Sequence, residues 1–455
     1  MNDKHPLIHW IQRLSPAQLL LILYFIAIII STAILSFPIV YQDDKMVPFI
    51  DIVFTAVSAL TVTGLSTISV AETFNTTGLV VLIVIMHLGA VGVMAVSTSI
   101  WLLLGKRIGL AERRLIMQDQ NQTSFGGMVS LIKQIIYIIL GVELITVLIL
   151  GTYYLRYFSD VKEAYFQGLF TTITAMSNAG FSLDPNSLAI YSHDYFVQLV
   201  VMFLIIFGAI GFPVIIEVKH YIMKRKKKKR QFRFSLFTKV TTTTFFLLIF
   251  IGTFIIYLID RNGYFADKTS VEGVFYALFQ SVTTRSAGLS TMDINLLSET
   301  NHLFMSLLMF IGASPSSAGG GIRTTTFALV IIFIITYARG GKSIKLFNRE
   351  IYEEDLLKAV TVTMMALILV FTALLLITYV EPHPFMALLV EITSAFGTVG
   401  LSLGITNELT TFSKVLLMVL MFIGRVGVVT FLFSFRKSVP DDTNISYPKE
   451  RMIIG

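Results

Sequence analysis

The feature that most limits the fold is a series of eight long apolar stretches, at about 17–40, 77–104, 127–158, 195–223, 236–260, 303–338, 356–380 and 411–436. Each reaches the roughly 20 residues a helix needs to cross a bilayer. Between the two members of each pair lies a shorter apolar piece, near 51–62, 163–178, 271–286 and 385–398. These pieces are too short to span and read as re-entrant segments. Only 14% of the residues are charged, 55% are hydrophobic, and mean hydropathy is +0.77. Soluble domains carry about a quarter charged residues, so a soluble enzyme is excluded, and so is a disordered chain. The absence of cysteine excludes disulfide frameworks, thiolate metal sites and cysteine nucleophiles. The expected fold class is an all-α polytopic membrane protein.

Charge gives the orientation. Lys and Arg gather on alternate sides of the spans: Lys4 and Arg13, then the stretches 106–133, 219–239, 339–358 and 436–451. The opposite side holds only Lys45, Arg156, Lys162, Arg261, Lys268 and Lys414. The positive-inside rule places the rich side, with both termini, in the cytoplasm. The start, MNDKHPLIHWIQRLSPAQ, lacks a small-residue cleavage site, so the first span is expected to act as its own insertion signal. The run KRKKKKRQFR at 224–233 fixes topology and meets anionic membrane lipids. It has no base-reading partners, so no nucleic-acid role is expected. The outer side is rich in acids, among them Asp51, Asp184, Asp194, Asp260, Asp293, Glu381 and Glu391. They form either an acidic mouth that concentrates cations or simply a solvated surface.

The short segments share a pattern. They read FTAVSALTVTGLS, FTTITAMSNAGFS, FQSVTTRSAGLS and VEITSAFGTVGLS, each ending in Gly, Leu or Phe, then Ser. The glycines are Gly64, Gly180, Gly288 and Gly400, separated by 116, 108 and 112 residues, and no other glycine of the 30 is followed by that dipeptide. Even spacing and equal placement between spans make this a repeat: helix, loop, helix, four times in parallel. The expected boundaries are a cytoplasmic segment 1–16, repeat 1 at 17–105, a loop at 106–126, repeat 2 at 127–224, a basic loop at 225–235, repeat 3 at 236–338, a loop at 339–355, repeat 4 at 356–436 and a tail at 437–455. Four such units around a pseudo-fourfold axis would put four pore loops around one path.

A dehydrated cation needs oxygen ligands, and rings of backbone carbonyls supply them without net charge. Turning successive carbonyls inward calls for backbone geometry that Gly adopts cheaply. The negative C-terminal end of each short helix favours a cation at mid-membrane. The expected selectivity filter is Val62, Thr63 and Gly64; Asn178, Ala179 and Gly180; Ser286, Ala287 and Gly288; Thr398, Val399 and Gly400, with K+ at the four glycines. One shared glycine per loop implies a short ring with weaker discrimination than a multi-site filter. The plainer alternative is a set of short helices ending in C-cap glycines.

These loops resemble those of the Trk/Ktr/HKT superfamily of potassium transporters, and most of all the membrane subunit of bacterial Ktr systems. The resemblance covers the chain from about Ser15 onward. It is carried by TVTGL at 61–65, SNAGFS at 177–182, TRSAGLS at 284–290, SAFGTVGLS at 394–402, GASPSSAGGGIRTTT at 312–326 and MFIGRVG at 421–427. It implies a pore within each chain, a homodimer, and a cytoplasmic ring of nucleotide-binding regulatory subunits. It also implies potassium preference, because Gly64 stands where a serine favours Na+ in that family. Such systems are often Na+-stimulated. GGGIR at 319–323 lies in an apolar span and follows no strand, so the chain has no Rossmann fingerprint of its own.

The span 303–338 is interrupted by Gly312, Ala313, Ser314, Pro315, Ser316, Ser317, Ala318, Gly319, Gly320 and Gly321. Irregular backbone at this depth is tolerated only where it packs in protein or lines a cavity. The segment is expected to gate the path, as the family also implies, rather than form a passive kink at Pro315. Arg425 lies in an apolar run, where a charge faces a cavity or a partner. The family implies a barrier below the ring; a salt bridge to Glu143 or Glu217 is the alternative. Arg285 is expected to brace its own loop through carbonyls, and His87 to be a packing residue without a metal role. No cluster of carboxylates or histidines at one membrane face suggests an enzyme. The expected function is potassium uptake driven by the membrane potential, against a sodium-permeable or poorly selective member of the same fold. A coupled symporter would more often show inverted repeats.

Overall fold

The computed structural model describes residues 14–42, 45–92, 128–226, 232–341 and 343–435. The expected loop 106–126, the tail 437–455 and the end of the stretch 77–104 lie outside them. The first unit comprises α1 (Pro16–Leu35), α2 (Phe49–Thr61) and α3 (Thr76–Val91). The second comprises α4 (Met128–Tyr154), α5 (Val161–Ser177), α6 (Tyr195–Ala209) and α7 (Phe212–Lys226). The third comprises α8 (Leu236–Ile259), α9 (Ser270–Thr283), α10 (Glu299–Ile311) and α11 (Thr324–Ala338). The fourth comprises α12 (Glu353–Val380), α13 (Phe385–Gly397), α14 (Thr411–Val426) and α15 (Val428–Ser434). A two-stranded hairpin, Lys345–Leu346 with Arg349–Glu350, joins the last two units.

Local sequence explains the helix starts. Ser15 and Gln18 form a capping box ahead of α1, with Pro16 in the first turn, where its missing N–H costs nothing. Asp160 caps α5, Thr269 caps α9, and Pro48 and Pro384 stand at the N-caps of α2 and α13. The outward faces of the long helices stay apolar: Ile29, Leu144, Phe254 and Phe371 are all more than half exposed. In a membrane that surface meets lipid.

Packing closes the units on themselves. The second helix of each unit lies against the short helix of the next: α3 on α5, α6 on α9, α10 on α13, and α14 back on α2. Close approach is secured by glycines. A Cβ on Gly89, Gly208 or Gly424 would strike the carbonyl oxygen of Leu60, Met176 or Phe396, the residue four before the loop glycine in each case. A buried ion pair, Lys414 to Asp51 at 2.8 Å, ties α14 to α2 where the circle closes.

Among the described residues four helices are long and apolar enough to cross a membrane unaided: α1, α4, α8 and α12. The stretches 195–223 and 411–436, each expected as one span, are broken. Helices α6 and α7 meet at 104°, and α14 and α15 at 99°. The break in the first falls at Ile210–Gly211, with Gly211 at φ +100°. Its freed backbone groups are taken up by the segment 312–321: the N–H of Ser314 donates to Ala209 O, that of Ala318 to Gly208 O, and that of Phe212 to Ser316 O. The second break turns at Gly427, φ +94°, a conformation that Gly92 repeats at the end of α3.

Candidate functional site

Each short helix ends at the loop that the repeat marks. The residue two before each glycine is left-handed: Val62 at φ 58°, Asn178 at 56°, Ser286 at 84° and Thr398 at 46°. The glycines follow at φ 89°, 72°, 72° and 100°, and the residue between each pair has negative φ. This alternation of hand turns successive peptide groups the same way, which an ordinary strand or helix cannot do. A left-handed β-branched residue is a strained choice, and Val62 and Thr398 both adopt it. Backbone bonds hold it in place: Thr63, Ala179 and Val399 donate to Ser58 O, Thr174 O and Ser394 O, each at 2.8 Å, and Ala287 donates to Thr283 O at 2.9 Å.

The four glycines meet. A Cβ on Gly64 would stand 2.5 Å from Ala179 O and 2.6 Å from the Gly180 Cα; on Gly180, 3.1 Å from Ala287 O; on Gly288, 3.0 Å from the Gly400 Cα; and on Gly400, 3.1 Å from the Gly64 Cα. A side chain there would force the neighbouring backbone to shift. The shared Leu or Phe that follows each glycine is a core anchor, for Leu65, Phe181, Leu289 and Leu401 are buried. The shared serine turns the chain: Ser66, Ser182, Ser290 and Ser402 accept from the N–H two residues on. All four glycines and all four serines line one open cavity of about 560 Å³.

Of the acids named above, Asp184 and Asp293 line that cavity. Four more serve packing: Asp51 pairs with Lys414, Asp194 caps α6, Asp260 accepts from Ser298 N and Asn301, and Glu381 from Thr410.

The segment 312–321 lies across the other side of the ring. Gly320 N donates to Ser286 Oγ at 3.1 Å, and Ser286 Oγ donates to Thr398 O at 2.7 Å. The segment is almost wholly buried, and three arginines grip it. Arg285 donates to Gly312 O, a carbonyl contact that ties the third loop to this segment. Arg323, which the sequence did not single out, donates to Gly319 O and Ser314 O. Arg425 donates to Ala318 O on one side and to Gly89 O and Ala90 O on the other. Among the described residues it makes no salt bridge: Glu143 lies 3.2 Å from His87 Nε2, and Glu217 accepts from Ser235 N. The His87 ring thus faces a carboxylate within the span. Among the described residues no group of His, Asp and Glu could hold a metal ion.

The class is defined at this point: an all-α polytopic membrane protein whose four units converge on a constriction of backbone groups, with an open cavity on one side and a buried segment on the other. A family model for TrkH, described as cation transport protein, matches residues 13–447, and the chain belongs to that family of transporters, which are not enzymes. It is 50% identical over 446 residues to the Ktr system potassium uptake protein D of Bacillus subtilis, covering 98% of each chain. It is 32% identical to the potassium/sodium uptake protein NtpJ of Enterococcus hirae, again covering 98% of each. The crystal structure of the potassium transporter TrkH from Vibrio parahaemolyticus shares its fold, with a TM-score of 0.70 at 16% identity over 91% of this chain and 84% of that one.

Proposed function

We propose that this chain is the ion-translocating subunit of a bacterial potassium-uptake system. The observation that carries the reading is the meeting of Gly64, Gly180, Gly288 and Gly400 at the floor of an open cavity. Relatives named for potassium uptake, one of them half identical along its full length, support the ion. In this reading K+ enters the cavity, sheds water onto the carbonyls flanking the four glycines, and passes toward the cytoplasm. Val62, Asn178, Ser286 and Thr398 complete the filter below the glycines, with Thr63, Ala179, Ala287 and Val399 between them. The segment 312–321 is the gate and Arg425 its electrostatic barrier. Na+ acts as an activator. The chain works as a homodimer on a cytoplasmic nucleotide-binding ring, with both termini in the cytoplasm.

The test is Gly64→Ser in proteoliposomes, with K+ and Na+ flux measured side by side. The wild type favours K+; the substitution, which places a Cβ and hydroxyl against Ala179 O, lowers that preference severalfold. A wild type that carries Na+ as readily removes the potassium assignment and favours the second reading, a mixed potassium and sodium pathway, which the likeness to NtpJ brings forward.

A further inference from the structure

The four loops are alike in backbone but not in what stands behind them. In three of them the serine after the motif keeps its hydroxyl proton within its own loop: Ser66 Oγ donates to Ile68 O, Ser182 Oγ to Ser187 O, and Ser290 Oγ to Met292 O. In the fourth, Ser402 Oγ donates instead to the carboxylate of Glu391. Thr406 Oγ1 donates to the same oxygen at 2.9 Å and stands 2.9 Å from Ser402 Oγ. Glu391 lies nine residues before Gly400, on α13; the equivalent positions in the other units are Thr55, Thr171 and Phe279. The Glu391 side chain is wholly buried, and among the described residues its Oε2 has no hydrogen-bond partner. Burying a carboxyl without a cation beside it is costly, whereas a main-chain carbonyl serves the other three serines.

Resting on the reading of the ring as a cation filter, we infer that Glu391 is a positioning residue that sets ion preference through the fourth loop. Its carboxylate holds Ser402, and Ser402 in turn accepts from Gly404 N at 2.9 Å. One oxygen thereby fixes the outer end of the fourth loop, the stretch that carries Gly400 into the cavity floor and Ser402 into the cavity wall. In the other three loops the serine hydroxyl itself donates to a main-chain carbonyl, although the third loop also takes side-chain support, with Ser290 N donating to Ser187 Oγ and Thr283 Oγ1 to Leu289 O. The fourth is the loop whose serine hydroxyl is held by a buried carboxylate, so the filter is fourfold in outline and uneven in support.

The experiment compares Glu391→Ala, Glu391→Gln, Ser402→Ala and the double variant Glu391→Ala/Ser402→Ala with Gly64→Ser, reading the K+ to Na+ flux ratio in proteoliposomes. Glu391→Ala is expected to lower the ratio about threefold or more while K+ still passes, on the scale of one lost hydrogen bond. Glu391→Gln keeps an oxygen facing Ser402 and is expected to retain most of the preference. In the Ser402→Ala background, loss of Glu391 adds little, because the serine is the route of its action. A ratio unchanged in Glu391→Ala, or effects of the two substitutions that simply multiply, overturns the inference. If Glu391→Ala does not yield folded protein, Thr406→Val, which removes one of the two hydroxyls that steady the carboxylate, carries the test: an altered ratio upholds the role and an unaltered one rejects it. Gly64→Ser separates the two levels. If that variant also leaves the ratio unchanged, it is the filter reading that has failed.

Discussion

At the residue scale, the basic side chains set within the helix bundle find two kinds of partner. Arginines 285, 323 and 425 donate to backbone carbonyls that broken helices expose. Lys414 and Asp51 are different, since each is the other's buried ion-pair partner at 2.8 Å. Removing one member of such a pair leaves an uncompensated charge, at a cost of about 3–5 kcal/mol, while replacing both is far milder. Lys414→Met is therefore expected to lower the thermal unfolding midpoint in detergent sharply, and Asp51→Asn/Lys414→Met to recover most of it. Equal midpoints for the single and double variants would show that the pair does not hold the circle of units closed. The sequence displayed both residues but placed them 363 positions apart on an outer surface. Only the packing of α14 on α2 made them partners.

At the element scale, the governing fact is that helices break where another element can use the freed backbone. The segment 312–321 was legible from its density of Gly, Ser and Pro, which no lipid-facing helix tolerates. The matching break at Ile210–Gly211 was not, because IFGAIGFPV reads as an apolar run and its polar cost is hidden in unspent N–H and C=O groups. Those groups are what the segment binds. Arg425 is the third member of this contact, donating to Ala318 on the segment and to Gly89 and Ala90 on α3. If the segment obstructs the path, releasing that grip frees it. Arg425→Ala is expected to give folded protein with K+ uptake raised severalfold, measured as 86Rb+ entry into proteoliposomes. Loss of folded protein without a gain in flux would assign the arginine to structure alone.

At the scale of the whole molecule, a ring that conducts as proposed has no store of energy, so in that reading accumulation is driven by the membrane potential. About 2.3 kcal/mol per charge per 100 mV is available, enough for roughly 50-fold accumulation. Expression in a bacterium unable to grow on low-potassium medium is expected to restore growth, and an uncoupler that collapses the potential is expected to abolish uptake at once. Uptake that persists against an opposing potential would require a coupled co-substrate and end the passive account.

The amino-acid sequence by itself determined the membrane class, the four recurring loops, the helix starts and the interrupted third unit, because each rests on local physics: span length, repeat spacing, caps, and residues that cannot continue a helix. What only the tertiary structure decided was which groups face one another. The bend at Gly211, the choice of carbonyls over acids for Arg425, the pairing of His87 with Glu143 and the carboxylate behind Ser402 are all contacts between distant parts of the chain. A buried polar group takes whichever partner the packing brings within reach, and that choice leaves no mark in the residues on either side of it.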